Sequence, residues 1–277
     1  MEKPRLILRD WIKIEKLSLN ALFSNDNAID LIENILIKYP YYINWNILSI
    51  NPNAIEILKK NRNNINWRLL SKNPNALELL LRDKDKINWD LLSSNPNAIG
   101  ILKEYPEKIN WVELSNNPNG IEIIKENLEK VNWSFLSSNP NAIEILREHP
   151  EKIVWSYLSS NPNAIEILKE NYEKIDWSYL SSNPNAIEIL KENPEKIDWN
   201  ILSSNPKAIE LLRNNQEKIN YKELSYNPSI FTYDYNKMLN TNLRFKEEIL
   251  EKALNPYRIF KLMEIYGEKD VYDNYFL

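Results

Sequence analysis

Apolar and polar positions along this chain repeat with a fixed period of 22 residues. A large aromatic residue opens each copy and Tyr221 opens the ninth, without insertions or deletions between them. The eight tryptophans of the series are Trp45, Trp67, Trp89, Trp111, Trp133, Trp155, Trp177 and Trp199. A period in this range is typical of stacked-repeat proteins, in which each unit buries its apolar faces against its neighbours.

Within one copy, the pattern predicts a first short helix that begins at the tryptophan. Trp177 and Leu180 are three residues apart and therefore share a helical face. Asp or Asn, which are good N-cap residues, precedes the aromatic residue in eight of the nine copies, and Val154 is the exception. We interpret the tryptophans as the residues that pack one unit against the next, each contributing about 2–3 kcal/mol by burial.

An Asn-Pro pair then predicts the start of a second helix. Asn is a preferred N-cap, and proline suits the first helical position because the N–H that it lacks would have no partner there. The pair occurs nine times, from Asn51-Pro52 to Asn227-Pro228. Apolar residues follow on one helical face, polar residues occupy the other, and Ile197 is expected to cover the seam before the next unit.

We therefore predict an all-α fold, a right-handed α-solenoid of two-helix 22-residue repeats with helical caps. The predicted segments are 1–42, an N-terminal cap with one degenerate repeat; 43–228, the tandem repeats; and 229–277, a C-terminal cap with helices around 245–254 and 257–266. Nine stacked units would form a rod or gentle superhelix of roughly 80 Å.

A leucine-rich-repeat horseshoe is the main alternative, because its period is similar and Leu180-Ser-Ser-Asn183 matches part of its motif. The alternation that a strand requires is absent, since Ser178 stands where an inward leucine is expected.

The unit W-x-x-L-S-x-N-P-N-A-I-E-I-L-K-E-N resembles the short repeats of uncharacterised proteins of large DNA viruses of amoebae and algae. The segments Leu8–Ile12 and Phe245–Ile259 are similar to the flanking segments of those proteins, so the resemblance covers nearly the whole chain. It implies a viral origin and no catalytic residue. The Asn-Pro helix start also resembles leucine-rich-variant repeats, which are all-helical, over half a unit.

Composition narrows the classes of function. The net charge of −4 with interspersed signs disfavours an electrostatic grip on nucleic acid or on a membrane surface. The absence of cysteine removes disulfides and thiolate metal sites. We find no signal-peptide pattern at the N-terminus and no membrane-spanning run, and therefore expect an intracellular protein, in the host cytoplasm during infection or in the virion.

The sequence offers few candidates for a catalytic, phosphate-binding or metal site. His149, the single histidine, occupies a slot that other units fill with Asn, which indicates a surface variant. The carboxylates that recur in the predicted second helix, such as Glu166 and Glu188, are followed three residues later by Lys or Arg. This pattern indicates a solvent-exposed helix face. There is no glycine-rich phosphate loop. We expect no enzyme activity, no cofactor and no metal site.

The informative variation lies two residues after each tryptophan. Glu113 interrupts an apolar series, and Phe135, Tyr157 and Tyr179 follow it as consecutive aromatic residues. These four residues are the candidate partner-binding surface, since aromatic residues are enriched at interfaces. The competing interpretation is that this side of the helix is partly buried packing surface.

We expect a non-enzymatic scaffold for protein–protein interaction with an unidentified protein partner. The alternatives are a structural component of a virion or lattice and, less favoured, a nucleic-acid-binding helical repeat. The repeated asparagines are interpreted as N-caps, with a peptide-binding polar seam as the alternative, so Asn161→Ala is expected to cost about 1 kcal/mol.

Overall fold

The computed structural model describes residues 6–235, 237–239, 247, 251, 252 and 255–266. The chain divides into two compact units, Leu8–Thr232 and the combination of Met1–Ile7 with Tyr233–Leu277. The repeats lie in the larger unit. Residues 8–42, which the sequence assigns to a cap, lie in this unit as well.

The described repeats confirm the all-α solenoid of two-helix units. In the copy that opens with Trp177, the first helix is Trp177–Ser182 and the second is Ile187–Glu192. The second helix begins three residues after Pro184, because Asn183-Pro184 forms a separate tight turn before it. A 3₁₀ turn, Pro194–Lys196, then leads to the next copy.

We name the first helix of each unit the A helix and the second the B helix. The A helices are Leu19–Ser24, Trp45–Ile50, Trp67–Leu70, Trp89–Leu92, Trp111–Ser115, Trp133–Ser138, Trp155–Ser160, Trp177–Ser182, Trp199–Leu202 and Tyr221–Leu224. The B helices are Ile29–Lys38, Ile55–Lys60, Leu77–Arg82, Ile99–Glu104, Ile121–Lys125, Ile143–Glu148, Ile165–Glu170, Ile187–Glu192 and Ile209–Arg213.

Short 3₁₀ turns follow both helices. Those after the A helices are Asp26–Ala28, Pro52–Ala54, Pro74–Ala76, Pro96–Ala98, Pro206–Ala208 and Pro228–Ile230. Those before the A helices are Ile14–Lys16, Pro40–Tyr42, Arg62–Asn64, Lys84–Lys86, Pro106–Lys108, Leu128–Lys130, Pro150–Lys152, Tyr172–Lys174, Pro194–Lys196 and Gln216–Lys218. Two strands, Leu6–Leu8 and Phe231–Tyr233, pair in a small sheet.

The core of each unit contains polar as well as apolar side chains. Leu180, Ala186 and Leu190 are fully buried, and so are Ser181 and Asn183. Burying a polar side chain is unfavourable unless its hydrogen bonds are made inside the protein. The same positions are buried in the other units, so the repeat must supply partners for a row of hydroxyl and amide groups.

The buried asparagines supply those bonds in two directions. Asn161 Oδ1 accepts from Asn163 N at 2.9 Å, which confirms the predicted cap of its own turn. Its Nδ2 donates to Ser137 O and Asn139 O of the preceding unit at 2.9 and 2.8 Å. Ser137 O lies at the C-terminal end of an A helix, where carbonyl groups lack intrahelical partners. Each asparagine therefore caps two units at once.

Two further residues complete the junction between neighbouring units. Ser159 Oγ donates to Trp155 O and accepts from Asp176 N of the next unit at 3.0 Å. Asn185 Nδ2 donates to Pro162 O of the preceding unit at 2.8 Å. The buried asparagine of this junction is Asn183, whose Nδ2 donates to Ser159 O and Asn161 O. Four hydrogen bonds thus join the units that open with Trp155 and Trp177.

The same four bonds join the first unit to the last. Ser18 N donates to Ser225 Oγ at 2.8 Å. Asn25 Nδ2 donates to Ser225 O and Asn227 O at 2.9 and 3.0 Å. Asn27 Nδ2 donates to Pro228 O at 2.9 Å. The degenerate copy therefore occupies the position of a unit that follows the ninth copy.

Side chains outside the hydrogen-bonded junction support the same closure. The Lys16 ammonium lies over the Tyr221 ring, 4.6 Å from its centroid. The equivalent Lys218 lies 4.4 Å from the centroid of the Trp199 ring. Arg9 adds contacts that have no counterpart in the repeats, with its Nε and N donating to Ser229 O and Ile230 O.

Residues 8–232 thus form a closed ring of ten units, each with one A helix. Instead of the expected rod or gentle superhelix, the array closes on itself, because the first copy keeps the asparagines that dock on a preceding unit. Ten A helices spaced about 8–10 Å apart define a circle of about 14 Å radius. Subtracting a helix radius of about 5 Å leaves an opening roughly 18 Å across.

In the second compact unit, the helix predicted around 257–266 is present as Pro256–Tyr266. Its side chains Tyr257, Phe260 and Ile265 are exposed, whereas Ile259 is buried. The helix predicted around 245–254 lies largely outside the described residues.

We predict that Asn161→Ala destabilises the protein by about 3 kcal/mol, because the loss of Nδ2 removes the donor to a buried carbonyl and the loss of Oδ1 removes a cap. This replaces the expectation of about 1 kcal/mol, which counted the cap alone. Urea unfolding measures the change. Asn163→Ala is the matched control, because Asn163 is exposed and its Nδ2 makes one bond to Pro140 O. Equal effects of the two substitutions would contradict the double role.

Ring closure predicts a short distance between the first and last units. Because the chain has no cysteine, Glu15→Cys and Lys222→Cys can carry a single pair of spin labels for a pulsed EPR distance measurement. In the ring the two labels lie in adjacent units and are close together, whereas a rod would separate them by about 80 Å. Asn25→Ala should broaden the distance distribution, and a pair at Glu15 and Lys108 provides a control that crosses the ring.

A third prediction concerns the copy that lacks its cap. Val154 makes no side-chain cap bond, whereas Asp176 Oδ1 accepts from Ser178 N and Tyr179 N. Val154→Asp should therefore stabilise the protein by about 0.5–1 kcal/mol. The change in thermal midpoint relative to Val154→Ala measures the added cap. A lower midpoint for Val154→Asp than for Val154→Ala would show that the carboxylate does not reach these N–H groups.

Candidate interaction surface

The A helices form the inner wall of the ring. Successive A helices pack side by side, as Trp133–Ser138, Trp155–Ser160 and Trp177–Ser182 do. Open grooves instead lie between the B helices Leu77–Arg82 and Ile99–Glu104, and between Ile99–Glu104 and Ile121–Lys125. In a closed ring the elements with the smaller spacing lie on the inner side. Exposed side chains of the A helices therefore face the central opening.

The candidate residues Phe135, Tyr157 and Tyr179 form a continuous row on this wall, which we name the aromatic strip. The Phe135 and Tyr157 ring centroids are 6.1 Å apart at an interplanar angle of 80°. The Tyr157 and Tyr179 centroids are 5.8 Å apart at 38°. These separations are those of adjoining aromatic rings.

The strip is partly accessible. Phe135 and Tyr157 are half-buried, and 41% of Tyr179 is exposed. Neighbouring rings cover the remainder, so both interpretations of these positions describe part of the arrangement. Glu113, the fourth candidate residue, is half-buried at the equivalent position of the unit before Phe135. The row of equivalent positions therefore has a carboxylate directly before the aromatic strip.

A row of serine hydroxyls accompanies the strip. Ser138, Ser160 and Ser182 Oγ donate to the carbonyl oxygens of the three aromatic residues, at 2.9, 2.8 and 2.7 Å. A hydroxyl has a single hydrogen, so each of these oxygens keeps only acceptor capacity for a ligand. The serine row therefore presents hydrogen-bond acceptors, whereas the phenolic hydroxyls of Tyr157 and Tyr179 can both donate and accept.

The charged residues of the inner wall next to the aromatic strip are all acidic. From Asn88 to Asn205, the A helices and their caps contain four acidic residues and no lysine or arginine. The acidic residues are Asp90, Glu113, Asp176 and Asp198. Asp198 Oδ2 accepts from Ser178 Oγ at 2.8 Å, while its Oδ1 caps its own helix. This arc of the wall is therefore negative.

The tryptophans are half-buried rather than fully buried. A lysine 19 residues later, in the turn that leads to the next unit, covers several of the rings. Lys196 Nζ lies 4.3 Å from the Trp177 ring centroid, and Lys174 Nζ lies 4.4 Å from that of Trp155. Two residues along a helix correspond to a rotation of about 200°. The Trp–Lys contacts and the aromatic strip thus occupy different sides of the A helices, and these lysines do not neutralise the inner wall.

The grooves between B helices form a second set of candidate sites. One groove of about 430 Å³ is bordered by Lys103 and Glu122, whose side chains form an ion pair at 2.9 Å that lowers the pKa of the Glu122 carboxyl. A groove of about 560 Å³ lies beside Gly100, with Leu81 and Tyr105 in its lining. Sequence reasoning missed this groove, although Gly100 stands where seven other units have glutamate.

His149 packs against Trp133 with ring centroids 5.5 Å apart, and its Nδ1 lies 3.9 Å from Glu151. Among residues 6–235 and the other described positions, no group of three or more His, Asp or Glu side chains is placed to hold a metal ion.

No helix in the described ranges combines the length and apolar character needed to cross a membrane. Comparison of this chain with known protein families, curated proteins and solved structures finds no match.

Proposed function

We propose that this protein is a non-enzymatic scaffold for protein–protein interaction and that the aromatic strip is its contact surface. The observation that supports this proposal is the row of three adjoining rings on the inner wall, with 41% of Tyr179 exposed. Large side chains that adjoin in one accessible row offer contact area at low entropic cost, as in the buried centres of protein interfaces.

The distribution of sequence changes favours the same surface. The units that open with Trp133, Trp155 and Trp177 share the W-S-aromatic-L-S-S-N-P-N-A-I sequence, and both the serine and the aromatic residue that follow the tryptophan differ from those of the other units. The junction residues have to be kept because each of them bonds two units. A residue on the inner wall bears no such restriction and can adapt to a partner.

Two other functions are less well supported. A structural component of a virion or lattice would use the outer face, where ion pairs such as Lys125–Glu144 and Arg147–Glu170 link neighbouring B helices. A nucleic-acid-binding repeat would need basic residues for phosphate contacts, and the inner wall beside the strip has none. From the resemblance we further propose a viral origin, with action in the infected cell or the virion.

We predict that the double substitution Tyr157→Ala and Tyr179→Ala removes specific partners from an affinity purification analysed by mass spectrometry. Its effect on stability should be small, about 1–2 kcal/mol in total, because both rings are only partly buried. Tyr226→Ala is the matched control, since Tyr226 is exposed to the same 41% as Tyr179 but lies in another unit.

If the partner set is unchanged while the thermal midpoint falls, the strip is packing surface and this proposal is wrong. A parallel analysis of infected cells and of purified particles separates the two main functions. A scaffold for interaction is expected in infected-cell extracts, whereas a structural component is abundant in particles.

A further inference from the structure

We infer that the aromatic strip binds a short, extended, arginine-containing segment of a flexible basic tail. This inference rests on the proposed function, because it names the class of partner for the same surface. Its basis is the size of the central opening, the spacing of the rings, and the acceptors and charges beside them.

The central opening limits the form of the partner. An opening of roughly 18 Å between the A helices is too narrow for a folded domain, since even a 100-residue domain has a radius of gyration of about 13 Å. A chain terminus or an unfolded segment can enter such an opening. The partner therefore presents a flexible segment to the strip.

The spacing of the rings suits an extended chain. Alternate side chains of an extended segment lie on one face and are about 6.6–6.8 Å apart. The ring centroids of the strip are 6.1 and 5.8 Å apart, so alternate side chains can each meet one ring. A helical ligand is a straight cylinder about 10–12 Å across, and it cannot follow the curved inner wall. A segment of about five residues covers the three rings.

The polar groups beside the strip favour a cation. The hydroxyl oxygens of Ser138, Ser160 and Ser182 can only accept, because their hydrogens are bonded to the carbonyl oxygens of their own helices. A phosphate or a carboxylate would find no donor among these serines, and the Tyr157 and Tyr179 hydroxyls are the donors that the strip offers. A guanidinium group carries five donors and no acceptor, which complements the row.

Charge and aromatic faces act in the same direction. Arginine stacks on aromatic faces and is attracted to their negative quadrupole. Glu113 lies in the unit next to Phe135, and Asp176 and Asp198 lie in the units that contain and follow Tyr179. Because no lysine or arginine occurs in this arc of A helices, a cationic side chain meets attraction from the rings and from the carboxylates.

Fluorescence anisotropy with the full chain tests the inference. The probes are fluorescein-labelled peptides in which three arginines alternate with serine, an isomer in which the three arginines are contiguous, a version with glutamate for arginine, and an oligothymidine. We expect the alternating peptide to bind most tightly. The pair Tyr157→Leu and Tyr179→Leu should weaken its binding about tenfold or more, whereas Tyr157→Phe and Tyr179→Phe should retain it, because the aromatic faces persist.

Glu113→Gln should weaken binding of the alternating peptide by about two- to fivefold and reduce the dependence of this binding on salt. The reason is that the substitution removes one of the carboxylates that attract the cationic peptide. Tyr226→Leu, outside the strip, should leave binding unchanged. Thermal midpoints of all variants show whether a loss of binding reflects a loss of folding, and the Tyr→Phe pair retains a folded surface for comparison.

Tighter binding of the acidic peptide or of the oligothymidine overturns the inference, as does basic-peptide binding that survives the Tyr→Leu pair. Equal binding of the alternating and contiguous peptides would contradict an extended peptide whose alternate side chains each meet one ring. If no basic peptide binds while the Tyr157→Ala and Tyr179→Ala protein still loses its partners, the partner class is wrong and the proposed function stands. If the partners are also retained, both are wrong.

Discussion

The amide of the buried asparagine is the interaction on which this fold depends. Through Oδ1 it caps the turn that follows, and through Nδ2 it satisfies the last carbonyl groups of the preceding A helix, as at Asn161. Short helices of about six residues cannot be stable alone. Because each cap belongs to two units, stability is shared along the chain. Throughout the described residues every buried side-chain nitrogen and oxygen atom has a hydrogen-bond partner.

This junction separates the positions that build the ring from those that can vary. Ser181, Asn183 and Leu190 are fully buried and fix how one unit meets the next. The position two residues after each tryptophan projects from the inner wall and makes none of the junction bonds. It can therefore change from isoleucine to glutamate to tyrosine while the backbone stays the same. Such a surface can acquire a partner without a change of fold.

Local features of the fold could be predicted from sequence, and non-local ones could not. The spacing of Trp177 and Leu180, and the Asn-Pro pair, indicated two helices and a cap because these signals act within a few residues. The second role of Asn161 involves Ser137, 24 residues earlier. Ring closure depends on the small rotation between units summed over the whole chain, which no single copy reveals. The retained Asn25 and Asn27 were the available signal.

The candidate surface was predictable to the same extent. Variation among the copies identified Phe135, Tyr157 and Tyr179, but their mutual contact depends on the close packing of the A helices. The groove beside Gly100 depends on the wider spacing of the B helices, which is a consequence of curvature.

Closure also makes the number of units a structural constant. An open array can gain or lose a copy at its end with little consequence, whereas ten units in a closed circle must each turn by about 36°. An eleventh copy would require every junction to adopt a smaller angle, or would leave Asn25 without the carbonyl groups that it binds. Duplication of one repeat would thus disrupt the closure through geometry, even though every residue of the junction is kept.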